Sequence, residues 1–172
     1  NCWAVMQALE ASGVEPVFVD VDEELNADRE QTLRALAAAG PGTALILTHQ
    51  FGLPAAACGE LAAAARKAGV AVIEDGAAAF GATTDCAPVG AAGDLSVLSF
   101  QHTKTVLAGE GGLVLGGGEL APRVAEMAAA FRPRSAAASL AQWARLAGLR
   151  VLTRPHLYRL AYVGVAAKGT YN

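Results

Sequence analysis

The chain has 172 residues, 53% of them hydrophobic and 17% charged, which is enough apolar material for one folded domain with a sizeable core. Its 13 basic and 16 acidic residues give a net charge of −3 without any block of like charge, which argues against a phosphate-backbone binder and so against nucleic acid as a partner. Cys2, Cys58 and Cys86 are odd in number, widely spaced and not arranged as C-x-x-C, so neither a disulfide framework nor a zinc site is expected, and a reducing cytoplasm fits best.

In chain order, WAVMQALEAS (3–12) has helix-forming composition and is followed by Gly13 at the position of a C-cap. GVEPVFVDVD (13–22) reads as a buried strand, ADREQTLRALAAAG (27–40) as a helix, and TALILTHQFG (43–52) as a second strand. PAAACGELAAAARKAG (54–69) reads as a helix, followed by the strands GVAVIED (69–75), DLSVLSF (94–100) and GGLVLGG (111–117). No basic-then-apolar leader follows Asn1 and no stretch reaches 18 apolar residues, so neither a signal peptide nor a membrane span is expected. The absence of an initial Met is what a fragment of a longer protein would show.

After Gly118 the character changes. ELAPRVAEMAAAF (119–131) reads as a helix, Pro133 interrupts, and SLAQWARLAGLRVLTRP (139–155) reads as an amphipathic helix carrying Arg145, Arg150 and Arg154. Such a helix packs on a neighbouring domain or subunit more often than on a membrane surface. The expected organisation is one domain with a helical C-terminal extension, the change falling between 1–118 and 119–172.

The alternation of strand and helix implies a three-layer α/β/α architecture with a mainly parallel sheet, in which ligands bind beyond the carboxyl ends of the strands. That rule selects Asp20 and Asp22, Thr48 and His49, Glu74 and Asp75, and Ser99 to Lys104. Asp20 and Asp22 stand on one face of an extended segment with no third ligand nearby in sequence, so no metal is assigned. His49 is accommodated equally by backbone partners at a strand end or by a ligand in the crevice. Asp75 is either the N-cap of the segment after it or a carboxylate facing a cation. Ser99 is either bonded to backbone or a hydroxyl donor to a phosphate.

Lys104 follows a buried strand by five residues and precedes GEGG (109–112). An ordinary loop lysine is solvated, but a lysine nucleophile needs the partial desolvation that a strand-end crevice provides. The glycines would let the backbone pass close to a bound ring or phosphate, or simply turn tightly into the next strand.

Taken together, PVFVDVD, THQFGLP, VIEDGAAAFGA, GDLSVLSFQHTK and AGEGGLVL resemble, in order and spacing, the large domain of the DegT/DnrJ/StrS sugar-nucleotide aminotransferases, which are fold type I pyridoxal phosphate enzymes. The resemblance covers about residues 1–118, and its most specific part is E-D-x-A paired with S-F-x-x-x-K-x(4)-G-E-G-G. It implies pyridoxal 5′-phosphate as cofactor, Lys104 as the Schiff-base lysine, Asp75 as partner of the pyridine nitrogen and Ser99 as a phosphate ligand. It also implies amino transfer to a nucleotide-linked keto-sugar, with glutamate as amino donor, in a cytoplasmic homodimer serving polysaccharide biosynthesis.

This sequence departs from the family pattern in three places. Ala78 stands where the family carries Gln or His against the cofactor ring. The family's phosphate-cradling turn would fall before Asn1, its smaller C-terminal domain is absent or reduced to the helices after Gly118, and an aromatic that stacks on the cofactor in some members would fall near Cys2 or Trp3. Two alternatives therefore stand beside amino transfer: a truncated or decayed relative without catalysis, and another pyridoxal phosphate reaction such as sugar dehydration. Lys104 favours amino transfer over dehydration, because the family's dehydratases lack that lysine.

Overall fold

A computed structural model of the chain describes residues 2–84, 87–101, 104, 106 and 110–159. These fall into two compact units, one through Ala130 and the other from Phe131 onward.

In the first unit, helix α1 (Trp3–Ser12) ends on Gly13, whose φ of 65° is the left-handed conformation of a helix stop. The segment expected as a first strand, 13–22, is extended but joins no sheet; only an isolated antiparallel bridge, Val21 to Ala27, forms there. Val17, Phe18 and Val21 remain 81%, 65% and 54% exposed, so its strand-like composition meets no neighbouring strand among the described residues. Helix α2 (Arg29–Ala37) is started by Asp28, whose carboxylate accepts the Gln31 N–H at 2.8 Å, a cap worth about 1 kcal/mol.

Strands β1 (Ala44–Thr48), β2 (Ala71–Asp75), β3 (Leu95–Ser99) and β4 (Gly112–Gly116) form one sheet in sequence order. The first three are parallel and β4 is antiparallel to β3. Helix α3 (Cys58–Lys67) carries the chain from β1 to β2.

Alternation along each strand sorts the side chains. Leu47, Val72 and Leu98 belong to one face, where Leu47 and Val72 pack with Leu36 of α2 and Leu61 and Ala65 of α3 into the main core. Each large apolar side chain buried there contributes roughly 1.5–3 kcal/mol. Arg29 of α2 and Glu60 of α3 form a forked ion pair over this layer, but both are about half exposed (51% and 49%), so the pair adds little. Helix α4 (Leu120–Ala129) packs on β4, with Val124 near Gly116, on the opposite face to Leu47 and Val72. The result is the layered α/β arrangement with a mainly parallel sheet that the element order implies.

The second unit contains helix α5 (Ala136–Leu152), started by Ser135, whose hydroxyl accepts the Ala138 N–H at 3.2 Å. Leu140 and Trp143 on it are 72% and 65% exposed. No helix among the described residues is long and apolar enough to cross a membrane.

Candidate active site at the strand ends

The last two residues of β2 are both acidic, and the pleat sends them to opposite faces of the sheet. Glu74 joins Val72 on the core face and is fully buried, whereas Asp75 stays half-exposed on the other.

A buried carboxylate is tolerated only with partners, and Glu74 has five. Its Oε1 meets His49 Nε2 at 2.9 Å and accepts the Gly90 N–H at 2.8 Å. Its Oε2 accepts the N–H groups of Ala92 and Gly93 at 2.7 and 3.0 Å and the Ser96 hydroxyl at 3.2 Å. His49 is equally committed: Nδ1 accepts the Ala55 N–H at 2.9 Å, which places the ring proton on Nε2, pointing at Glu74. Burial alone would raise the Glu74 pKa. The hydrogen bonds from His49, Gly90, Ala92 and Gly93 outweigh it and bring the carboxyl down from 4.5 to about 2.

Of the two readings open for His49, the structure therefore selects the histidine satisfied within the protein. The ligand atoms of His49, Cys58 and Glu74 lie within 4.8 Å of one another, a set that could hold a metal by residue type. Both His49 nitrogens and both Glu74 oxygens are already engaged, so the trio is built as a polar core knot. Sequence reasoning gave Glu74 no role, although strict alternation in AVIED already turned it inward with Val72.

The other face carries the candidate site. Register aligns Thr48, Asp75, Val97 and Val114 in one row across all four strands. Asp75 receives the Ala77 N–H on Oδ1 at 3.1 Å, and its carbonyl accepts the His49 N–H at 3.0 Å. The segment after it turns and is not helical, which removes the helix N-cap reading. Ser99 lies two residues beyond Val97 on the same face, half-buried, with Oγ 3.5 Å from the Gln101 N–H. Asp75 and Ser99 thus share the half-open face at the carboxyl ends of neighbouring parallel strands. Lys104 is half-buried on the segment leaving β3, its N–H donating to the Gln101 carbonyl at 2.9 Å.

Of GEGG, Gly109 lies outside the described residues, as do His102 and Cys86. A Cβ on Gly112 would stand 2.5 Å from the Leu98 carbonyl oxygen, so this glycine serves the close approach of β4 to β3, as a turn into the next strand requires. Trp3 lines a concavity of about 350 Å³ with Met6, Val14 and Pro16, and Asp75, Ser99 and Lys104 do not line it.

The fold is similar to that of solved aminotransferases. The structure of DesI determined with its TDP-sugar product aligns over 71% of this chain and 31% of its own, with TM-score 0.62 and 37% identity. An aminotransferase from Brucella abortus aligns over 73% of this chain and 36% of its own, with TM-score 0.66 and 33% identity. These likenesses define an α/β protein of the pyridoxal phosphate aminotransferase fold. The model of the DegT/DnrJ/EryC1/StrS aminotransferase family matches residues 2–150, and the chain belongs to that family. It is 42% identical over 115 residues to the UDP-N-acetyl-3-dehydro-alpha-D-glucosamine 3-aminotransferase of Acidithiobacillus ferrooxidans, covering 65% of this chain and 30% of that relative. The chain thus spans about a third of the length of the relatives it matches.

Proposed function

We propose that this chain is the cofactor-holding portion of a pyridoxal 5′-phosphate-dependent enzyme that moves an amino group, from glutamate, onto a nucleotide-linked keto-sugar. The observation that carries this reading is the contrast between adjacent carboxylates. Glu74 has five internal donors, whereas Asp75 has one backbone donor and faces the half-open side of the sheet. An acceptor so placed fits the protonated nitrogen of a pyridine ring, and the Ser99 hydroxyl on the same face fits a phosphate oxygen.

The cofactor would supply an electron-withdrawing ring that stabilises negative charge on the substrate carbon. Asp75 would hold the proton on the ring nitrogen, because its negative charge favours the cationic form of its partner. Ser99 would donate its hydroxyl to the phosphate. The Lys104 amine would hold the cofactor through its aldehyde, and as a free amine it would move a proton at the substrate carbon. The keto-sugar class is supported by relatives named for a UDP-linked dehydro-sugar and for a TDP-sugar product. We further propose a homodimer, since the bulk of a nucleotide substrate calls for more wall than one copy of this sheet face provides.

Ala78 favours one second reading, a relative that has kept the sheet and lost the chemistry. A single experiment separates the two. The protein is incubated with pyridoxal 5′-phosphate, the absorbance of lysine-linked cofactor is recorded, and borohydride fixation is mapped by peptide mass spectrometry. A label on Lys104 supports the enzyme. No lysine-linked absorbance, or a label on another lysine, overturns it.

A further inference from the structure

The turn that follows β1 carries a costly residue choice. Gln50 to Leu53 closes with the Leu53 N–H on the Gln50 carbonyl at 2.8 Å, and both central residues have positive φ, 54° at Phe51 and 85° at Gly52. Positive φ at both central positions is the pattern of a type I′ turn, which favours Asn-Gly; a bulky aromatic in the first position is strained. Burial does not compensate, because Phe51 is 77% exposed.

The surrounding contacts hold the strain in place. His49, just before the turn, donates its N–H to the Asp75 carbonyl at 3.0 Å and accepts the Ala55 N–H on Nδ1 at 2.9 Å. Within the turn, Gly52 closes on residue 78, since a Cβ there would stand 3.3 Å from the Ala78 carbonyl oxygen. Phe51 is therefore the apex of a turn at the carboxyl end of β1, next to the strand end that bears Asp75, and its neighbour Gly52 runs close to the Ala78 backbone. Strain of this kind persists where neighbouring contacts fix it, and it clusters at active sites and ligand clamps.

We infer that Phe51 is a ligand-contacting residue, an aromatic wall beside Ala78 against the planar pyridine ring held at Asp75; the inference rests on the function proposed above. An aromatic face next to a ring-sized ligand adds affinity through offset or edge-on packing. Phe51 thereby supplies the ring contact that Ala78 cannot make.

The test compares Phe51→Asn, which suits the turn but removes the ring, with Phe51→Tyr, which keeps it. Leu25→Asn is the control, since Leu25 is the other non-glycine residue with positive φ among the described residues. Full-length protein is used, with two readouts: Tm without cofactor and Kd for pyridoxal 5′-phosphate. Phe51→Asn should raise Tm and weaken binding by about three- to tenfold, as loss of one aromatic contact implies. Phe51→Tyr should match the parent in both, and Leu25→Asn should raise Tm with Kd unchanged. Unchanged Kd in Phe51→Asn overturns the inference while leaving the proposed function standing. A lowered Tm in Phe51→Asn, marking Phe51 as a packing residue, overturns it too. If the parent shows no Lys104-dependent cofactor binding, the proposed function fails and the ligand assigned to Phe51 fails with it.

Discussion

Glu74 and Asp75 are neighbours in the chain and strangers in the fold: one carboxylate is sealed against His49 beneath the sheet, and the other stands on the half-open face above it. The one-residue offset of a β-strand separates a structural acid from a candidate functional one.

The first prediction concerns acid stability. The Glu74 carboxyl titrates at about 2 in the fold against an ordinary 4.5, so the native state holds the ionised form more tightly than the unfolded chain does. Its contribution is complete above pH 4.5 and is lost as pH falls from there towards 2, amounting to about 3 kcal/mol over that window. Denaturant unfolding at pH 6 and pH 3 should show the loss in the parent, and Glu74→Gln should flatten it. An unchanged pH slope in Glu74→Gln would locate the acid sensitivity elsewhere.

His49→Leu removes both a donor to Glu74 and the acceptor for the Ala55 N–H, leaving two buried polar groups short of a partner. The cost should be about 2–4 kcal/mol. His49→Gln, able to donate and accept, should recover part of it. If the leucine variant melts with the parent, the knot at residues 49 and 74 is not holding the loops together.

The chemistry is tested through Asp75→Asn and Lys104→Ala. An amide keeps the shape of Asp75 but not its charge, so cofactor should remain bound while amino transfer falls roughly 100-fold or more. Lys104→Ala should abolish the lysine-linked absorbance and the borohydride adduct, while phosphate contacts still retain some cofactor. Turnover at the parent rate in Asp75→Asn would refute the role given to that carboxylate.

The 172-residue chain by itself should self-associate. β4 pairs only with β3 in the described sheet, carries no charge, and leaves Leu113, Val114 and Leu115 between 38% and 47% exposed. An uncharged apolar edge of this kind recruits further strands. Val114→Lys should shift light scattering towards smaller species, whereas a parent that is already a stable, monodisperse monomer would rule out the edge as a sticking point.

Periodicity, turn residues and composition determined the order of elements, since β1 to β4 and the five helices all arise from local patterns of apolar residues bounded by Gly, Asp or Ser. Those patterns also set Asp75 and Ser99 at the carboxyl ends of strands, because strand ends are marked by where the apolar run stops; that the two strands lie side by side was decided by the fold. Local pattern could not tell that 13–22, as apolar as any strand, would join no sheet among the described residues, since pairing depends on residues far away in sequence. Nor could it choose between the two roles of His49. That depended on β1 and β2 lying side by side, so that a histidine and a glutamate 25 residues apart met in the core. The strain at Phe51 was likewise decided in three dimensions: THQFG reads as an ordinary strand end, whereas in the fold Phe51 turns into the left-handed region.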